Sequence, residues 1–174
     1  MAKSEATTKL DFETGQKVVY PAHGVGTVTS IDKQQVAGMS LEVYVVSFDQ
    51  DKMILRVPTN RAIASGMRAL ANGKLVEDAL KTLGGKARIK RTMWSRRAQE
   101  YEAKINSGDL ISIAEVVRDL HRLDDQPEQS YSERQLYESA LDRMARELAA
   151  VEKIDHEKAM DRLAESLAKK KAAA

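Results

Sequence analysis

Residues 17–58 read KVVYPAHGVGTVTSIDKQQVAGMSLEVYVVSFDQDKMILRVP. Four β-rich runs stand within them, at residues 18–20, 25–31, 41–48 and 53–57. Their side chains are mostly β-branched or aromatic, the types that fit a pleated, half-buried surface. In the second run Val25, Thr27, Thr29 and Ile31 alternate against Gly26, Val28 and Ser30. Turn chemistry separates the runs, with Pro21-Ala22-His23-Gly24 first, residues 33–38 second and Asp49-Gln50-Asp51-Lys52 third. Each is a short connection of the kind antiparallel neighbours use. Pro58 ends the last strand because it has no amide to give to a ladder.

Short strands with tight turns over about 45 residues point to a small antiparallel barrel of SH3 or Tudor type, in which closure removes exposed edges. This unit is expected to span residues 13–66, after a polar, aperiodic and flexible lead over residues 1–12. Beyond Gly66 the period switches to helix, and no further β-rich run follows. Leu70, Leu75, Ala79, Leu80 and Leu83 suit one or two short helices before the Gly84-Gly85 break. Residues 94–105 suit the next helix, which Ser107-Gly108 ends while Asp109 caps its successor. Leu110, Ile113, Val116, Val117 and Leu120 repeat at three and four, the mark of a buried helical stripe. Asp124-Asp125-Gln126-Pro127 breaks the pattern. Ser132 is the expected N-cap of the following helix, with Gln135 in the reciprocal position. That helix continues as one, or as two with a bend near Asp155. The whole chain therefore reads as α+β, a small N-terminal antiparallel β-barrel followed by an all-α domain over residues 67–168. A disordered lysine-alanine tail is expected over residues 169–174.

The chain has 174 residues, 43% of them hydrophobic, which fills one or two modest cores. It has no cysteine and no amino-terminal apolar run after a basic start, so the expectation is a cytoplasmic protein without disulfides. Its net charge of +2 hides an uneven distribution. Residues 67–108 hold 10 Lys/Arg against 4 Asp/Glu, whereas residues 109–174 hold 11 against 15. A positive middle third in a nearly neutral protein is the footprint of a localised polyanion contact.

Chemistry of the catalytic or metal-binding kind is hard to find. His23, His121 and His156 lie far apart with no partner at ligand spacing, and the carboxylates sit beside Lys or Arg at helical surface positions. Gly24-Val25-Gly26 and Gly84-Gly85-Lys86 match neither a P-loop nor a dinucleotide fingerprint. The expectation is a non-enzyme with no cofactor and no metal. One constellation stands out: residues 86–97, KARIKRTMWSRR, carry six bases, no acid and the only tryptophan. Basic side chains neutralise phosphates, and a large flat ring can wedge against bases. The plainer alternative is a tryptophan that anchors a core among solvated charges.

Four segments together, Val18-Val19-Tyr20-Pro21-Ala22-His23-Gly24-Val25-Gly26, Ile54-Leu55-Arg56-Val57-Pro58, Trp94-Ser95-Arg96-Arg97 and Ala114-Glu115-Val116-Val117-Arg118-Asp119-Leu120, resemble the CarD family of bacterial transcription regulators, including its CdnL branch. The similarity covers roughly residues 13–150 and rests on order and spacing. The resemblance implies a Tudor-like domain that binds the RNA polymerase β subunit, with Arg56 as a contact. It also implies a helical domain whose tryptophan, here Trp94, enters the minor groove at the upstream edge of the transcription bubble and stabilises the open promoter complex. Arg91, Arg96 and Arg97 would attend it on phosphates, with Arg134 on the same strand. In some relatives an arginine in the turn after the second strand faces polymerase; here that turn has Lys33 followed by Gln34 and Gln35, so Lys33 and Gln34 stand as the corresponding candidates. No apolar stretch reaches the roughly 18 to 20 residues a membrane span needs, and nothing in the sequence requires a dimer, so the expectation is a monomer on promoter DNA with no membrane partner. An RNA-binding or ribosome-associated Tudor-like factor and a protein-only helical adaptor are the competing readings.

Overall fold

The β-rich runs fold as strands β1 (Lys17–Tyr20), β2 (Gly24–Val36), β3 (Met39–Phe48) and β4 (Met53–Pro58), and a short β5 (Arg68–Ala69) joins them. The computed structural model describes residues 10–48, 52–122 and 126–172, with side chains as far as residue 168. The sheet is antiparallel throughout, in the order β4-β3-β2-β1-β5. Among the described residues no ladder joins β4 to β5, so the expected full closure is replaced by an open sheet. Phe12, Ala62 and Met67, which lie outside the strands, complete its core with Val18, Val28, Tyr44, Val46, Phe48 and Val57.

Three expectations are corrected here. Residues 1–12 do not all form a loose lead: Phe12 is buried edge-on to Tyr44, and the amides of Asp11 and Phe12 both donate to the Tyr44 hydroxyl. The rest of that lead, residues 1–9, lies outside the described residues. The barrel does not stop at Gly66, because Met67 is buried in its core and Arg68–Ala69 pairs with β1; two residues are too few to carry a strand period. The alternation of the second run is broken by a bulge between Val28 and Ser30, where Thr29 Oγ1 donates to Val45 O at 3.1 Å. The bulge lets both Val28 and Ile31 meet the core.

The connection expected over residues 33–38 is mostly strand. β2 runs to Val36, and only Ala37 (φ +51°) and Gly38 (φ +78°) turn the chain between paired Val36 and Met39. Positive φ at both central positions matches the twist of the flanking strands. A Cβ in that region costs about 1–2 kcal/mol, less for Asn. Ala37→Asn is accordingly expected to stabilise the protein by about 0.5–1 kcal/mol and raise the thermal midpoint by about 2 °C. Calorimetry checks this, and a lowered midpoint contradicts it.

The remainder folds into α1 (Gly73–Leu83), α2 (Trp94–Asn106), α3 (Leu110–Leu120), α4 (Tyr131–Glu152) and α5 (His156–Ala172). Asn72 caps α1 by accepting from Leu75 N, and Asp109 caps α3 by accepting from Ser112 N. α4 is capped by Ser130, which accepts from Glu133 N, and not by Ser132 as expected. Ser130-x-x-Glu133 is itself a capping-box pattern, and the choice frees the Ser132 hydroxyl. Lys153, in the left-handed region, ends α4, so the long pattern divides into two helices. The backbone is helical as far as Ala172, beyond the onset of disorder expected at Lys169. Apolar faces of all five helices form the second core around α3, which touches α1, α2 and α4.

The two cores are locked together. Arg68 on β5 makes a bidentate pair with Glu147 on α4, each arm at 2.7 Å, and its Nε and Nη2 also donate to Gly108 O. Glu147 takes a third hydrogen bond from Ala71 N at 2.9 Å. Pro21, in the β1–β2 turn, lies between Gly66 and Gly108: a Cβ on either glycine would stand 2.7 Å from Pro21 Cγ or 3.4 Å from Pro21 Cα. Arg143 on α4 donates to the carbonyl of Ala22 in the same turn.

Candidate nucleic-acid and polymerase interfaces

The basic segment leaves α1 at Gly84 and runs without regular structure to α2. Its course is fixed from below by Asp119, a buried residue on α3. Asp119 Oδ1 accepts from the Arg88 backbone amide at 3.0 Å and from Arg118 Nε at 2.9 Å. A carboxylate so placed holds the loop by its main chain and leaves the side chains of Lys86, Arg88 and Arg91 exposed. Lys90 is partly neutralised by Glu100 at 3.3 Å.

Trp94 opens α2. Its helix begins with no side-chain cap and no acid in the first turn, so the positive end of the helix is left uncompensated. The indole is half-buried against the helical core, and its Nε1–H donates to Ser132 Oγ at 3.0 Å. That bond joins the starts of α2 and α4. Arg97 covers the ring, its Cζ 5.4 Å from the Trp94 centroid and 5.7 Å from that of Tyr101, and its Nη2 donates to Tyr101 OH at 3.3 Å. These geometries hold an indole in a fixed orientation. Ring and neighbours thus differ from both sequence readings: the tryptophan is neither sealed in the core nor fully projected.

Of the sequence-derived candidates, Trp94 and Arg96 lie on the first turn of α2 and Arg134 on the first turn of α4, with Arg91 on the preceding loop; the Trp94–Ser132 hydrogen bond joins these two helix starts. Arg91, Arg96 and Arg134 are exposed, and among the described residues they enter no ion pair. Arg97 is set apart, because its guanidinium is half-buried on the aromatic rings and its Nε lacks a hydrogen-bond partner. It positions Trp94. Further along the seam, Arg122 pairs with Glu133 at 2.7 Å, and His121 Nδ1 lies 2.9 Å from Tyr137 OH. Burial pushes the Tyr137 phenol above its ordinary value, so it stays protonated at neutral pH. Sequence reasoning missed Ser132, Met93, Tyr131 and Asp119. Met93 lies within the basic stretch 86–97 and Asp119 within the segment 114–120, Ser132 had a signal in the competing Ser130-x-x-Glu133 cap, and Tyr131 had none.

On the β module Arg56 is exposed on β4, an edge strand that pairs only with β3. The register Val45↔Arg56, Ser30↔Val45 and Gln34↔Leu41 puts Gln34 on the same face as Arg56. Lys33 falls on the opposite face, across from Glu42. The three polymerase candidates therefore do not share one surface. Exposed Ile54 joins the Arg56 face two residues away, and exposed Val36 and Met39 flank the hairpin turn.

Two family models match this chain. The CarD-like/TRCF RID domain matches residues 12–70, and the CarD C-terminal domain matches residues 78–164. The chain belongs to the CarD family. As a CarD-family chain it is a transcription factor, and its β module is the family's RNA polymerase-interacting, Tudor-like domain. Polymerase is the partner that this domain implies. The chain is 24% identical over 143 residues, 82% of its own length and 94% of the relative's, to a Bacillus subtilis (strain 168) protein named "Putative transcription factor YdeB". It is also similar to the solution structure of the 72-residue N-terminal domain of Myxococcus xanthus CarD. The identity is 32%, the match covers 40% of this chain and 92% of that one, and the TM-score is 0.30. CarD-family regulators are non-enzymatic factors. No helix among the described residues is long and apolar enough to cross a membrane.

Proposed function

We propose that this CarD-family factor stabilises the open promoter complex by holding the RNA polymerase β subunit through the Arg56 face of its β module while Trp94 contacts DNA at the upstream edge of the bubble. The observation that carries the reading is the seam itself: an indole held by Ser132 and Arg97 where the starts of α2 and α4 meet, with the exposed cations Arg91, Arg96 and Arg134 within about three residues of Trp94 or Ser132 along the chain. The uncapped start of α2 adds a positive dipole end to the same place. Arg56 and Gln34, with Ile54, form the polymerase contact; Lys33, on the other face, takes no part in it.

The mechanism needs no bond chemistry. A ring that fits only melted or distorted DNA binds the open state better than the closed one, and the equilibrium shifts by that difference alone. Unstacking a base step costs about a few kcal/mol, and stacking an exposed base on an aromatic ring returns about 1–3 kcal/mol. Because the terms nearly balance, the ring favours DNA that polymerase has already opened. Tethering through the β module raises its local concentration to about the millimolar scale, so a weak contact operates at promoters.

Open-complex lifetime with and without the protein tests the reading. It is expected to lengthen by roughly tenfold, which equals about 1.4 kcal/mol of differential affinity. DNA affinity is expected to fall with salt at a log–log slope near −0.9 per phosphate contacted, so about −3 for three free arginines. An unchanged lifetime, together with binding to structured RNA in the absence of polymerase, would favour the RNA-factor reading instead.

A further inference from the structure

Met93 and Tyr131 are the two most exposed of the large hydrophobic side chains among the described residues, at 78% and 77%. They are not scattered. Met93 immediately precedes Trp94, Tyr131 immediately precedes Ser132, and the hydrogen bond between Trp94 Nε1 and Ser132 Oγ is 3.0 Å long. Both therefore stand at the α2–α4 seam.

Folding does not account for a tyrosine there. Tyr131 is the first residue of α4, whose cap is supplied by Ser130, and Tyr is an ordinary helix former with no advantage at that position. Its ring enters no aromatic contact and its hydroxyl no hydrogen bond among the described residues. Trp94, by contrast, has part of its surface in the core, its N–H committed to Ser132 and Arg97 over its ring. The phenol is the freer π-surface of the two. Its rim is cationic, since exposed Arg134 follows three residues later on the same face of α4, and exposed Arg96 stands three residues after Met93 on α2. An apolar, aromatic centre with a positive, unpaired rim matches a single nucleic-acid strand, which offers a base face and a phosphate within one nucleotide. A neutral protein surface would leave those arginines desolvated without partners.

We infer that Tyr131, with Met93 at the adjoining helix start, is a second stacking surface that receives an unpaired base of the melted DNA strand. Trp94 holds the edge of the duplex, and Tyr131 takes the first base released from it. The inference rests on the promoter-contact reading above and adds to it a second residue whose contact depends on strand separation.

A cycle between protein and DNA tests it. Open-complex lifetimes are measured with polymerase and full-length wild type, Tyr131→Ala, Tyr131→Phe or Trp94→Ala. The promoters carry abasic nucleotides walked one at a time along the upstream edge of the bubble. With wild-type protein, one abasic position is expected to shorten the lifetime by roughly fivefold or more, the lower end for one stacked base. Tyr131→Ala is expected to show that loss on unmodified DNA and no further loss at that position, whereas Tyr131→Phe behaves as wild type. Unchanged thermal unfolding of Tyr131→Ala separates this from a folding defect. A Tyr131→Ala protein that extends the lifetime fully, or that remains sensitive to the same abasic position, overturns the inference. If Trp94→Ala alone is defective, the promoter-contact reading survives without Tyr131. If wild type itself extends nothing, both readings fall.

Discussion

Glu147→Ala is expected to lower the unfolding free energy by about 3 kcal/mol. Glu147 is 4% exposed and accepts from both arms of Arg68 and from the Ala71 amide. Truncating it leaves the Arg68 guanidinium bonded to the Gly108 and Ala69 carbonyls but without a counter-charge, and it orphans the buried Ala71 N–H. Breaking a buried pair costs about 3–5 kcal/mol, and the lower end applies because Arg68 is 27% exposed and water reaches it. Out of a total stability of about 5–15 kcal/mol, this is a large fraction. Glu147→Gln keeps volume and can still accept from Ala71, so its loss is expected to be about half as large. The paired change Arg68→Met with Glu147→Leu is expected to recover most of the stability, since well-packed apolar side chains replace buried ion pairs at little cost. Urea unfolding of the three proteins checks the series. A Glu147→Ala loss below about 1 kcal/mol would mean that the link between the modules is solvated and weak.

Trp94→Ala is expected to abolish the lengthening of open-complex lifetime while leaving affinity for the polymerase β subunit unchanged. The indole lies on the helical module and the Arg56 face on the β module, so loss of one leaves the other's surface in place. Trp94 also packs against the helical core, and its truncation costs stability as well, about 2–3 kcal/mol for a half-buried ring. Trp94→Phe separates the two effects, because it keeps most of the packing and a π-face but loses the N–H to Ser132. Intermediate lifetimes are expected from it, and similar ones from Ser132→Ala, which frees the indole to rotate. Lifetimes by competitor challenge, alongside thermal unfolding, distinguish the outcomes. Full activity in Trp94→Ala would remove the ring from the mechanism.

Much of the fold was legible because periodicity and caps are local. Asp109 and Gly108 announced the start of α3, and its three-four stripe is buried as read. What escaped depended on distant partners. Phe12 sits in a polar stretch and is buried only because Tyr44 reaches it across the sheet. β5 is two residues long and is a strand only because β1 lies beside it. The bulge at Thr29 is invisible in a run that alternates well by type. At the candidate site, sequence found Trp94 and its arginines from composition, but it could not separate Arg97, stacked on two rings, from Arg96, which is free. Nor could it place Lys33 and Gln34 on opposite faces, since it took residues 33–38 for a turn, whereas β2 runs on to Val36 and consecutive strand residues face opposite ways.

The proline wedged between Gly66 and Gly108 turns the molecule into a calliper. One jaw is the edge of the sheet and the other the seam of two helix starts, and the span between them cannot be adjusted without disturbing close-packed backbone. On the function proposed above, such an instrument would measure distance along the template from a fixed mooring, and so find its place by geometry where other factors must spell out a sequence.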